Sequence, residues 1–161
     1  MKQHQKSLNR PSDKMEVEKM TSHYNPIKLK RVYDKKEKSD GIRLLADRLW
    51  PRGIKKSELQ YDDWIKELSP SNSLRKQWHN SELSYKQFSK RYSDELESQQ
   101  KEMECIVQLA NKETITLISA VKELENSHLP ILKDHILDKL EEISPEETRE
   151  RSSPVCYDNF Q

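Results

Sequence analysis

The chain has 161 residues, a formal net charge of +1, 35% charged and 32% apolar residues, and a mean hydropathy of -1.08. That length suits one domain. The apolar share is well under the roughly 45–50% of ordinary soluble domains, which points to polar tails around a smaller core. A net charge so near zero makes no global case for nucleic acid, and no apolar run approaches the ~18 residues of a membrane span.

Two cysteines, Cys105 and Cys156, lie far apart and suggest neither a disulfide framework nor a zinc site. Cys105 reads as packing on a helix. The histidines form no metal-ligand grouping, so no metal or cofactor is expected. The first ten residues lack the apolar centre of a signal peptide, and the expected compartment is the cytoplasm.

Residues 1–25 hold almost no periodic apolar positions and read as a flexible extension. The stretch 28–33 (KLKRVY) alternates basic and apolar residues, the pattern of a first strand. A charged loop follows and ends in the turn pair Asp40-Gly41. The stretch 42–49 is apolar enough to be a second, central strand. It runs into Asp47, Arg48, Leu49, Trp50, Pro51, Arg52 and Gly53. That block delivers an acid and two guanidinium groups to one rim, and Trp50, Pro51 and Gly53 shape the turn between them.

The stretch 57–68 is ambiguous between a short helix and a strand carrying Trp64, and 73–79 reads as a short helix. Ser84 and Gln87 then form a capping box ahead of one long helix. Its stripe is Tyr85, Phe88, Tyr92, Leu96, Met103, Ile106 and Ala110, interrupted at Gln99. A third strand, 114–120 (TITLISA), is rich in β-branched residues. Asn126 or Ser127 can cap a last helix with Pro130 in its first turn. Residues 144–161 read as a second flexible tail. The expected fold is α/β, a small mixed sheet of three to four strands flanked by helices, in a single domain over 26–143.

The blocks KLKRVYD, DGIRLLADRLWPRGIKK, DDWIKELSPSNSLRKQW, FSKRYSDEL and TLISAVKELENSH, in that order, resemble the YeaO-like branch of the family known as domain of unknown function 488. The resemblance covers roughly residues 27–140 and implies a bacterial, cytoplasmic α/β protein with its characteristic residues at strand ends. It does not bring an agreed activity. A cofactor-dependent methyltransferase of the usual kind needs a Gly-rich loop, and this chain has only Gly41 and Gly53.

After the third strand the family usually reads Ala-Ala-Lys/Arg-Asp-x-Glu-His-Asn. Here the residues are Ala120, Val121, Lys122, Glu123, Leu124, Glu125, Asn126 and Ser127. The usual His is Asn126, which carries no proton at neutral pH. His128, two residues later, could replace it only if the loop allows.

Ligands of open α/β sheets bind beyond the carboxyl ends of the strands. A site there would use Arg48, Arg52, Arg75, Lys122 and Glu125 for a small phosphate- or carboxylate-bearing ligand. Asp47 or Glu123 would be the acid–base candidates. Trp50 and Trp64 read as core anchors rather than stacking platforms. Two other classes compete with a ligand site. One is a non-catalytic RNA- or protein-binding module that uses Lys28, Lys30 and Arg31. The other is a degenerate member with a structural role.

Overall fold

The structure, a computed structural model, describes residues 24–143. The expectations for 1–23 and 144–161, including everything about Cys156, lie outside the described residues. Four strands, β1 (Ile27–Arg31), β2 (Ile42–Leu45), β3 (Asp63–Trp64) and β4 (Ile115–Ser119), form one sheet in the order β1-β4-β2-β3. Every pairing is parallel, where a mixed sheet was expected. The α/β class and the strand count hold.

The interior of the sheet is taken by β4 and β2, and all five residues of β4 are buried. A strand covered on both faces tolerates a continuous apolar, β-branched run. Its register with β1 runs from Ile27 opposite Ile115 to Arg31 opposite Ser119. Against β2, Ile42 lies opposite Ile115 and Leu45 opposite Ile118. Successive side chains point to opposite faces, and the core divides accordingly. Ile27, Leu44, Ala46, Ile115 and Leu117 belong to a large cluster, whereas Leu45 and Ile118 join Val32 and Leu59 in a smaller one.

The large cluster takes side chains from all four helices: α1 (Asn72–His79), α2 (Tyr85–Ser98), α3 (Gln100–Lys112) and α4 (His128–Glu142). The small cluster is closed by Trp50, Ile54, Tyr61 and Trp64 from the connections around β3. The helices therefore gather on one face of the sheet, because β1 to β2 and β2 to β3 are joined by loops and a 3-10 turn (Lys38–Asp40). Gly41, at φ +64, sits where any Cβ would meet the Thr114 carbonyl oxygen at 2.0 Å, so only glycine lets β2 start beside β4.

The capping box of Ser84 and Gln87 is formed as expected. The long helix is not continuous. Gln99, at φ -103 and ψ 50, leaves the helical region and divides it into α2 and α3. The gap in the apolar stripe at Gln99 was the sequence sign of that break. Ser127, rather than Asn126, caps α4 by accepting from the Leu129 N–H. Cys105 is buried on α3, as a packing residue should be, but it is not a free thiol. Among the described residues no helix is long and apolar enough to cross a membrane.

On the loop face lies a charge cluster that sequence reading missed. Asp40 is fully buried and receives Arg43 Nη1 at 2.9 Å and Lys30 Nζ at 2.8 Å, with Lys28 Nζ at 3.9 Å. Burial alone would raise this carboxyl. Hydrogen bonds from Lys30, the Glu37 N–H and Arg43 outweigh it and hold the pKa at about 2. The acid three residues ahead of an arginine on the strand was the available signal.

Candidate functional site

The β2 and β4 strands are neighbours, so their carboxyl ends bring Asp47 against the 119–121 segment. Both Asp47 carboxylate oxygens are taken there. The Ser119 hydroxyl donates to one through a short hydrogen bond, and the Ala120 N–H donates to the other at 2.8 Å. The Trp64 indole N–H donates to the Asp47 carbonyl at 2.6 Å, which ties β3 into the same corner. Arg31 Nε donates to the Val121 carbonyl at 3.0 Å and fixes the far side of this loop to β1.

His128 is the first residue of α4 and turns inward beneath Asp47. It is buried, and its Nε2 lies 2.5 Å from the Ala46 carbonyl oxygen and 3.8 Å from the Asp47 carboxylate. Burial pushes its pKa below the usual histidine value, with Asp47 and the Ala46 carbonyl pulling the other way. The imidazole is therefore neutral at pH 7 and donates from Nε2 to Ala46. Asn126, at the family's usual His position, is exposed and donates to Glu123 at 3.2 Å. The ring that reaches Asp47 thus comes from two residues further on.

Arg48 points the other way along the rim. Its Nη2 donates to the Ser69 carbonyl at 3.0 Å and its Nε to the Pro70 carbonyl at 3.4 Å. These carbonyls precede Ser71, the cap of α1. The same short segment is held by Tyr92, whose hydroxyl donates to the Leu68 carbonyl at 2.6 Å. Glu95 adds to this by accepting from the Ser71 N–H at 2.9 Å and hydroxyl at 2.5 Å. Arg48 is thereby a clasp between β2 and the start of α1. Sequence reading did not foresee the roles of Tyr92 and Glu95, because nothing local marks a carbonyl that must be capped from a distant helix.

The second half of the turn differs. Pro51 is buried, and the Trp50 indole N–H donates to the Ile54 carbonyl at 2.6 Å, closing the turn around Gly53 at φ +79. Arg52 is exposed at its tip and, among the described residues, makes no hydrogen bond or ion pair. Lys122 and Glu125 are likewise exposed, with no such side-chain partner, and Glu123 is exposed with Asn126 as its partner. Arg75 is half-buried one turn into α1, with its Nε buried and without a hydrogen-bond partner. The structure therefore joins Asp47, Ser119, Ala120 and His128 into one knot. It sets Arg48 into a neighbouring clasp and leaves Arg52, Lys122 and Glu125 in solvent.

The charges proposed for an RNA-binding first strand are also committed. Lys28 and Lys30 face Asp40, and Arg31 lies over the Tyr33 ring at 5.1 Å. Two clefts of about 400 and 300 Å³ lie in the helical layer, lined by residues such as Leu96, Met103 and His135, and by Tyr85, Pro130 and His135. Neither includes a residue of the DRLWPRG block. Among the described residues no group of three or more His, Cys, Asp or Glu side chains could hold a metal.

A family model described as the inactive DUF488-N3 subclade matches residues 26–158. The uncharacterised protein YeaO of Escherichia coli is 44% identical over 108 residues, 67% of this chain and 94% of that protein. The uncharacterised proteins Rv3073c of Mycobacterium tuberculosis and Mb3100c of Mycobacterium bovis are each 31% identical over 106 residues, 66% of this chain and 89% of theirs. No solved structure matches. The chain belongs to the DUF488 family, as a YeaO-like member matched by the model of its inactive N3 subclade.

Proposed function

We propose that this chain is a non-catalytic binding domain that holds a small phosphate- or carboxylate-bearing ligand at the outer turn of the DRLWPRG block. The observation that carries the reading is the occupancy of Asp47. Both carboxylate oxygens accept from the protein itself, and the adjacent His128 is buried and neutral. A general acid or base must come within hydrogen-bond reach of its substrate, and here both Asp47 oxygens are already engaged and His128 is buried. The word "inactive" in the family description agrees with that reading.

Of the candidate cations among the described residues, Arg52 and Lys122 are the ones exposed to meet an anion. A guanidinium suits a phosphate or carboxylate because its planar donors match two oxygens at once. Pairing of Lys28 and Lys30 with Asp40 speaks against the RNA alternative. The proposed compartment is the cytoplasm, on the family resemblance alone, since Cys105 is not a free thiol and lends that no support.

The test is a thermal-melt screen with phosphate esters and carboxylic metabolites, run on the parent and on an Arg52→Ala/Lys122→Ala double variant. A ligand at 100 times its Kd adds roughly 2.7 kcal/mol. A rise of several degrees in the parent, lost in a variant that melts normally without ligand, is the expected result. No rise with any anion, or an equal rise in both proteins, overturns the reading.

A further inference from the structure

From the indole pair beneath Lys56 and Lys66 we infer that the anion is carried on a planar ring: the ligand is a nucleoside phosphate whose base stacks on Trp64. This rests on the anion reading above and names its substrate class. The two indoles stand edge to face, with centroids 5.5 Å apart and planes at 74°, and Tyr61 backs Trp50 at 5.4 Å. Each indole N–H is spent on a backbone carbonyl, Trp50 on Ile54 and Trp64 on Asp47, both at 2.6 Å. The rings are thereby fixed in orientation while remaining only half-buried.

What lies over them is positive. Lys56 Nζ stands 5.7 Å from both ring centroids, and Lys66 Nζ stands 5.5 Å from that of Trp64. Neither lysine has a carboxylate within 4.0 Å among the described residues, and Arg52, a few residues along the same turn, has none either. Two cations without counter-ions among the described residues thus lie against a rigid π surface. Leu49, 55% exposed, adds apolar surface to the same stretch of chain.

A surface lysine over an indole face gains little, because its ammonium must shed water to be there. A base stacked on the same face gains more, and stacking asks only for a π surface. A ligand with both a ring and a phosphate would displace the lysines from the indoles and pair with them at once. A bare phosphate would use the cations but leave the rings idle. Adenosine would use the rings but leave the cations idle. The combination of fixed indoles and unpaired cations fits the molecule that carries both groups.

The experiment is a fluorescence titration of the full chain carrying Trp78→Phe, so that Trp50 and Trp64 alone report. Adenosine 5′-monophosphate, ribose 5-phosphate, inorganic phosphate and adenosine are compared, and the first two are repeated on Lys56→Ala and Trp64→Phe variants. The nucleotide should quench the signal and bind roughly tenfold or more tighter than ribose 5-phosphate. Lys56→Ala, an exposed change that leaves the fold alone, should weaken it several-fold. Equal affinity for nucleotide and ribose 5-phosphate overturns stacking and leaves the anion reading standing. No binding by either phosphate overturns both. Adenosine binding as tightly as the nucleotide removes the anion and overturns the inference as stated. Should Trp64→Phe fail to fold, the Lys56→Ala and ribose 5-phosphate comparisons decide alone.

Discussion

Asp47 and Arg48 turn inward while Arg52 and Lys56 turn outward, although all four come from one short stretch of chain. The inward pair is tied into the fold. Asp47 takes two donors from the β4 end, and Arg48 reaches two carbonyls ahead of α1. Among the described residues the outward pair has no carboxylate partner, and Lys56 rests over indole rings. A block of charged residues at a strand end can therefore be half framework and half surface. The division follows hydrogen-bond supply, because buried charged groups must be paired whereas exposed ones need not be.

The largest expected effect belongs to the inward half. Asp47→Ala strips the Ser119 hydroxyl and the Ala120 N–H of their acceptor at a largely buried site. It should cost about 2–3 kcal/mol in a urea melt. A loss under 0.5 kcal/mol would mean that water replaces the carboxylate freely and that the knot is not a lock.

Gly53 sharpens the comparison from the outward side. At φ +79 it has nothing within 4 Å of a built Cβ, so Gly53→Ala meets backbone strain and no collision. A cost of about 1 kcal/mol is expected. A much larger loss, measured the same way, would show that the outer turn is packed more tightly than its exposure implies.

A smaller effect near neutral pH comes from His128. Its pKa is depressed in the folded chain, so the unfolded chain binds the proton first as pH falls. The stability that His128 contributes is complete above an unfolded value of about 6.5 and is lost as pH drops through that value toward the folded one. Melts from pH 8 to 5 should show this decline, and a His128→Gln variant should lack that part of it. Identical profiles for the two proteins would place His128 outside the pH response.

The α/β class, the capping box at Ser84 and the position of the strand-end corner were legible because periodicity and turn chemistry are local. Gln99 was visible as a gap in the stripe, but its backbone conformation was not, so one helix was expected where two exist. The parallel sheet needed the long-range pairing of β1 and β2 with β4, which no local pattern encodes. At the site, residue types showed which charges reach the rim but not which of them are already satisfied. Arg48 and Arg52 look alike in sequence. Only the carbonyls of Ser69 and Pro70, brought from another segment, separate their roles.

The most direct measurement is therefore the urea midpoint of Arg48→Ala set beside that of Arg52→Ala. Arg48→Ala should lose about 1–2 kcal/mol, because a charged donor to two carbonyls is removed from a partly buried clasp. Arg52→Ala should stay within about 0.5 kcal/mol of the parent. Equal losses, or a larger loss at Arg52, would contradict the division of this turn into a framework half and a free half.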